Sequence, residues 1–218
     1  MSITPDSVQT LLSSTDFGDR IRGVIQLRQL EPETAFGMVQ SVVVDKNVRV
    51  RYAAVCLLAS IGQVDLQQSF KLLRVGLQDP EPDVQAAAAD AIAALHITEA
   101  FDDLQQLYEG SQEWLVRFSI VAALGELGEP RGFDLLQEAL NSDNDLLITA
   151  AIGSLGELGD PRAVHLLLPY VDTSDWQMRY RVAQALSYFD NPDAKTALSR
   201  LAQDSDENVA RLAQQALS

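Results

Sequence analysis

The sequence predicts an all-α solenoid of about six helical pairs followed by a terminal half repeat. Three observations predict it. A segment recurs every 31 residues. Small-residue and leucine-rich stretches of helical length alternate along it. Glycine and proline stand where such helices would stop and start. The recurrence is plainest when Val116-Arg117-Phe-Ser-Ile-Val-Ala-Ala-Leu-Gly125-Glu-Leu-Gly128-Glu-Pro-Arg131 is set above Leu147-Ile-Thr-Ala-Ala-Ile-Gly-Ser-Leu-Gly156-Glu-Leu-Gly159-Asp-Pro-Arg162, at an offset of 31. Met178-Arg179-Tyr-Arg-Val-Ala-Gln-Ala-Leu-Ser187 follows at another 31, and a half copy begins at Val209. Weaker copies are headed by Val84 and Val50, at offsets of 32 and 34. The earliest, around Ile21-Arg22, is the most degenerate.

Each unit reads as two helices. The first is rich in small residues, with Gln85-Ala-Ala-Ala-Ala-Asp-Ala-Ile-Ala-Ala94 as the extreme case. It stops at Leu-Gly-Glu-Leu-Gly, where Gly128 or Gly159 suits a left-handed C-cap. A proline then opens the second helix, where its missing N–H costs nothing. That helix is leucine-rich, as in Ala163-Val-His-Leu-Leu-Leu-Pro-Tyr170. It ends in a turn such as Asn141-Ser-Asp-Asn-Asp145, which supplies the N-cap of the next first helix. Val42-Val43-Val44 is β-prone, but its register puts it at the end of a second helix, where packing overrides propensity. No stretch reads as a linker, so residues 1–218 are expected to form a single domain. Helices faced with Ala, Gly and Ser approach more closely than leucine-faced ones. The first helices are therefore expected on the concave side.

Composition excludes several functions. The 218 residues are 47% hydrophobic, 22% charged and 6% aromatic, which fits a globular domain or repeat array and not a disordered chain. A net charge of −15 would be repelled by phosphates, so neither nucleic-acid binding nor docking on anionic membranes is expected. The lone Cys56 allows no internal disulfide and no multi-cysteine zinc site. Met-Ser-Ile-Thr-Pro-Asp at the start lacks the basic and apolar regions of a signal peptide. The longest uncharged apolar run, Leu146 to Gly156, falls short of the roughly 20 residues of a membrane span. The expectation is a cytoplasmic protein with no membrane insertion.

The period, the Val-Arg-x-x-Ala-x-x-Ala-Leu-Gly helix and the Gly-Asp-Pro-Arg-Ala turn resemble HEAT-like repeats of the phycobilisome lyase type. Gly159-Asp-Pro-Arg-Ala163 and Val116-Arg117 match most closely, and the resemblance covers roughly residues 16–218. As a whole the chain looks most like phycobilisome-degradation HEAT-repeat proteins of the NblB type. The segments that carry this are Asp45-Lys-Asn-Val-Arg-Val-Arg-Tyr-Ala-Ala54, Asp83-Val-Gln-Ala-Ala-Ala-Ala-Asp90, Ala100-Phe-Asp-Asp-Leu-Gln-Gln-Leu-Tyr108 and Glu113-Trp-Leu-Val-Arg-Phe-Ser-Ile-Val-Ala122. The resemblance implies binding of phycobiliproteins (phycocyanin, allophycocyanin) or their bilin, and phycobilisome disassembly under nutrient starvation. Related members are bilin lyase subunits, which attach or detach a linear tetrapyrrole at a cysteine of the antenna protein. It thus implies no tightly bound cofactor, at most a transient phycobilin (phycocyanobilin), and leaves room for a second HEAT-repeat subunit or a protease adaptor. A general protein–protein adaptor and a chromophore-detaching enzyme remain alternatives.

The residues themselves assign no catalytic group. Gly153-Ser154-Leu155-Gly156 has the wrong spacing for a nucleophile elbow and lies inside a helix. Gly125-Glu-Leu-Gly128 is a helix end and not a phosphate loop. His96 and His165 lie more than two repeats apart, so a shared metal site or triad is not expected, and each reads as a surface or helix-end histidine. Counting from Asp143 or Asp204, the sixth and twelfth positions lack the Gly and Glu of a calcium loop, so these acids read as helix caps. No metal is expected. Cys56 reads as a small buried hydrophobe before it reads as a bilin anchor. Arg51, Arg117 and Arg179 recur in register, so they are expected to pair with turn carboxylates between neighbouring repeats.

The informative positions are those that differ between copies. On the first helix they lie at −2, −1, +2, +3 and +6 from the heading Val, Leu or Met. Both tryptophans fall at −2, with an aromatic four residues on: Trp114 with Phe118 and Trp176 with Tyr180. The third copy has Pro82 and Ala86 there, and the fifth has Asp145 and Thr149, so packing does not require an aromatic. Aromatics beside arginines mark interface hot spots. The expected partner- or bilin-binding face comprises Arg49, Tyr52, Trp114, Phe118, Ser119, Trp176, Gln177, Tyr180, Arg181 and Gln184. On a tetrapyrrole the aromatics would stack on pyrrole rings, and Arg49 and Arg181 would pair with propionates.

Overall fold

The turn acids and amides behave as the caps their positions predict. Asp16, Asn47, Asn144, Asp175 and Asp206 each accept a backbone N–H two or three residues on, and each starts a first helix. The computed structural model describes residues 3–218. Its first helix, α1 (Pro5–Leu12), precedes the repeats. The pairs are then α2 (Phe17–Leu27) with α3 (Pro32–Val39), α4 (Val48–Ile61) with α5 (Leu66–Leu77), and α6 (Pro82–Ala94) with α7 (Phe101–Gly110). They continue with α8 (Trp114–Leu127) and α9 (Gly132–Ala139), α10 (Asp145–Leu158) and α11 (Ala163–Leu167), and α12 (Trp176–Leu186) and α13 (Pro192–Leu201). The half repeat is α14 (Glu207–Leu217). Among the described residues there is no strand, and no helix is long and apolar enough to cross a membrane. The fold is the expected all-α solenoid of helical pairs.

The residues up to Ile120 form one compact unit and Val121–Ser218 a second, with the boundary inside α8. In the first unit α1 packs on α2, α2 on α4 and α4 on α6. Val8, Leu27, Leu58 and Ile92 on these helices, with Leu73 on α5 and Leu104 on α7, are buried. In the second, α10 packs on α12 and α12 on α14, around Ile152, Leu155, Leu167, Val182 and Leu186. The two glycines of each Leu-Gly-Glu-Leu-Gly segment do different things. A Cβ on Gly156 would stand 2.6 Å from the Ala185 Cα, and one on Gly125 would stand 2.6 Å from the Ser154 Cα, so these positions let helices approach closely. Gly128 and Gly159 take left-handed turns, with φ of 70° and 71°.

Two details of the first unit differ from expectation. α3 ends at Val39, so Val42-Val43-Val44 forms a turn beyond it, with Val42 and Val43 buried. β-branched side chains fill the core there without extending the helix. His96 takes the left-handed place that Gly128 and Gly159 take in later copies, at φ 51°. That conformation costs an L-residue about 1–2 kcal/mol. Because His96 is exposed, His96→Gly should stabilise the fold by about 1 kcal/mol. Thermal unfolding checks this, and a lower melting temperature would refute it.

Neighbouring repeats are stapled by arginine. Arg20 donates through Nε and Nη2 to Asp45 at 2.7 and 2.9 Å, Arg51 to Asp79 at 2.6 and 2.8 Å, and Arg179 to Asp204 at 2.6 and 2.8 Å. Each Nη1 donates to a carbonyl six residues upstream, of Ser14, Asp45 and Thr173 respectively. Each aspartate also accepts the backbone N–H two residues on. One side chain thus joins a first helix to the turn that starts the next. The earliest copy is registered by Arg20, two residues before the arginine of the Ile21-Arg22 alignment.

Arg117 breaks the pattern. The position 25 residues on, where Arg20 and Arg179 find their acids, is Ser142. The Arg117 guanidinium instead lies 4.4 Å from the centroid of the Tyr108 ring. Its Nε and the Tyr108 hydroxyl are buried without a hydrogen-bond partner among the described residues. The expectation of a carboxylate partner is therefore corrected for this arginine. A cation–π contact takes the place of the ion pair at this arginine.

Candidate functional site

The first turns of α10, α12 and α14 surround an open hollow of about 630 Å³. Each helix starts at a polar cap, so its first exposed side chains stand beside those of the next helix in the row. α10 contributes Asp145, Leu146 and Thr149, α12 contributes Trp176, Gln177, Tyr180 and Arg181, and α14 contributes Asn208 and Arg211. Asp175, the N-cap of α12, completes the rim. Leu146, Trp176 and Tyr180 are 57%, 42% and 37% exposed, so an apolar and aromatic surface is presented to solvent.

Two arginines stand in the hollow. Arg181 donates to the Gln184 side-chain oxygen at 3.0 Å, and Arg211 to that of Asn208 at 2.8 Å. Neither has a carboxylate in an ion pair among the described residues. The Arg181 side chain lies over α10, where a Cβ on Gly153 would stand 3.3 Å from its Cδ. Nearby, burial pushes the Glu157 carboxyl up, the Arg181 charge opposes that shift, and Glu126 adds to it. Arg181 therefore sits in the field of an acid without being neutralised by a direct bond.

The expected residues divide between the two units. Trp176, Gln177, Tyr180 and Arg181 line the hollow, and Gln184 holds Arg181. In the first unit Trp114 is 55% exposed and meets Phe118 edge-on, with ring centroids 6.4 Å apart and planes at 62°. Arg49 and Tyr52 are exposed on α4. Ser119 is only 6% exposed, so it belongs to the packing of α8 and not to an open face, a correction to the expected set. Sequence reasoning missed Leu146, Asn208 and Arg211. All three stand at the −1 and +2 positions that vary between copies, and reading those positions in the fifth and seventh copies would have found them.

Outside the hollow little chemistry is poised. Burial pushes the Cys56 thiol up, against the opposing hydrogen bond from the Tyr52 hydroxyl. A thiol above its usual range stays protonated at neutral pH and is a poor nucleophile. Asp206 caps α14 as expected, whereas Asp204 holds Arg179 and Asn144, between Asp143 and Asp145, caps α10. Among the described residues no group of three His, Cys, Asp or Glu side chains is arranged to hold a metal ion.

Paired helices, arginine staples between repeats and an exposed aromatic hollow on the first-helix row define a helical-repeat scaffold. HEAT-repeat models match residues 70–152 and 148–218, more than half of the chain, and the chain belongs to the HEAT-repeat family. No curated protein matches the sequence. Several solved structures share the fold. A chain of the complex of CpcE and CpcF of phycocyanin lyase from Nostoc sp. PCC7120 aligns with a TM-score of 0.67 at 20% identity, over 100% of this chain and 94% of that one. The YibA protein of Escherichia coli aligns with a TM-score of 0.71 at 18% identity, over 98% and 80%. An archaeal HEAT-like repeat protein from Thermococcus onnurineus NA1 aligns with a TM-score of 0.59 at 12% identity, over the full length of both chains.

Proposed function

We propose that this HEAT-repeat protein is a cytoplasmic binding protein for phycobiliproteins that promotes phycobilisome disassembly. The observation that carries the binding role is the hollow on α10, α12 and α14, where exposed Trp176, Tyr180 and Leu146 surround two arginines without carboxylate partners. An aromatic–arginine cluster of this kind is the usual composition of an interface hot spot. The choice of phycobiliprotein as partner rests on the sequence resemblance to NblB-type proteins. It draws support from a fold shared with a chain of the phycocyanin lyase complex.

The test mixes the purified protein with phycocyanin or allophycocyanin and follows co-elution together with visible absorbance. The expected result is a stable complex whose bilin spectrum is unchanged on binding. Loss of the bilin absorbance would move the protein to the chromophore-detaching class. No co-elution with either antenna protein would overturn the choice of partner and leave a general adaptor.

A further inference from the structure

We propose that the hollow on α10, α12 and α14 receives a protein segment carrying one carboxylate beside a bulky apolar side chain. This rests on the reading that the first-helix row is the binding face, and adds the chemistry of what it binds.

The argument begins with charge. The chain carries 31 acids against 16 basic residues, and eight of its arginines are held in ion pairs among the described residues. The buried Arg20, Arg51 and Arg179 each hold an aspartate, and the far more exposed Arg74, Arg162 and Arg200 also find acids. Arg181 and Arg211 have only the neutral side-chain oxygens of Gln184 and Asn208. A guanidinium gains more from a carboxylate than from an amide, so an incoming carboxylate can displace either contact. Both arginines face the same hollow.

The neighbouring side chains restrict the occupant further. Trp176, Tyr180 and Leu146 offer apolar surface that a free carboxylate ion would leave uncovered. An occupant that satisfies both features needs an acid and an aliphatic or aromatic side chain a short distance apart. Asp145 and Asp175 stand on the rim of the same hollow. Their charge disfavours a polyanion or a phosphate cluster, which would meet two acids for two arginines. A protein segment with a single acid meets the arginines with less repulsion from those aspartates.

The test uses a phage-displayed library of random twelve-residue peptides selected on the full chain. This probe does not depend on phycobiliprotein, so absence of a phycocyanin complex would leave the motif standing, and a wrong motif would leave the complex standing. Selected sequences should be enriched in Asp or Glu within four residues of Leu, Phe, Trp or Tyr. The best synthetic peptide should lose at least tenfold in affinity on the Arg181→Gln/Arg211→Gln variant, with the melting temperature unchanged. Trp176→Ala should relax the preference for the bulky residue while keeping that for the acid. Failure to enrich any sequence, enrichment without an acid, or equal affinity for the arginine variant would each overturn the proposal. Displacement of the peptide by equimolar biliverdin would also overturn it, because the hollow would then accept a free tetrapyrrole carboxylate.

Discussion

Asp204→Ala should destabilise the second unit by about 3–5 kcal/mol, the usual cost of removing one partner from a buried ion pair. The Arg179 and Asp204 side chains are only 13% and 8% exposed. Removing the carboxylate leaves the Nε and Nη2 donors of Arg179 without their acceptor, while Nη1 keeps the carbonyls of Thr173 and Ser174. The backbone N–H of Asp206 loses its acceptor as well. Urea unfolding at neutral pH measures the loss. Arg179→Met/Asp204→Leu should recover most of it, because an apolar pair of similar volume avoids the desolvated charge. If the double variant is as unstable as the single one, the staple is not the cause.

The same pair sets a pH dependence. The Arg179 hydrogen bond holds the Asp204 carboxyl below the usual carboxylate range, against burial and with help from the Asp206 N–H. A folded-state value below the unfolded one contributes stability above the unfolded pKa of about 4. That contribution is lost as pH falls from there through the folded value. The stability gap between parent and Asp204→Ala should therefore narrow below about pH 4. A gap that is constant from pH 7 to pH 2 would contradict this.

Trp176→Ala should weaken the complex with phycobiliprotein by about 2 kcal/mol, roughly thirtyfold, with little change in melting temperature. Its side chain is 42% exposed and stands on the rim of the hollow, so truncation removes surface offered to a partner more than it opens a cavity. A tryptophan packed between repeats would cost about 3–5 kcal/mol of stability instead. The decisive observation is the pair of values on one variant, affinity by titration calorimetry and melting by calorimetric scan. Early melting with unchanged affinity would mean that Trp176 is part of the scaffold.

Much of this protein is legible in its sequence because the signals are local. A 31-residue period, helix caps at Asn and Asp, and left-handed glycines act over a few residues, so they specify helical pairs without reference to distant contacts. The varying positions of the first helix also pointed to Trp176, Gln177, Tyr180 and Arg181. The site was legible only in part, because a hollow shared by three helices requires all three to be read at the same positions. Ser119 shows the limit of that reading. It stands at a varying position, yet the packing of α8 buries it.

What the sequence by itself determined is the repeat: where helices start, where they stop and which of them carry small residues. Tertiary structure alone decided the fate of side chains whose partners lie in another repeat. Arg51 and Arg179 hold aspartates while Arg117, at the same position, lies against Tyr108. Arg181 and Arg211 stand without carboxylates although acids outnumber bases. The physical reason is that a cap or a left-handed turn is satisfied within its own few residues. Charge pairing and exposure depend on distances between helices that no single repeat specifies.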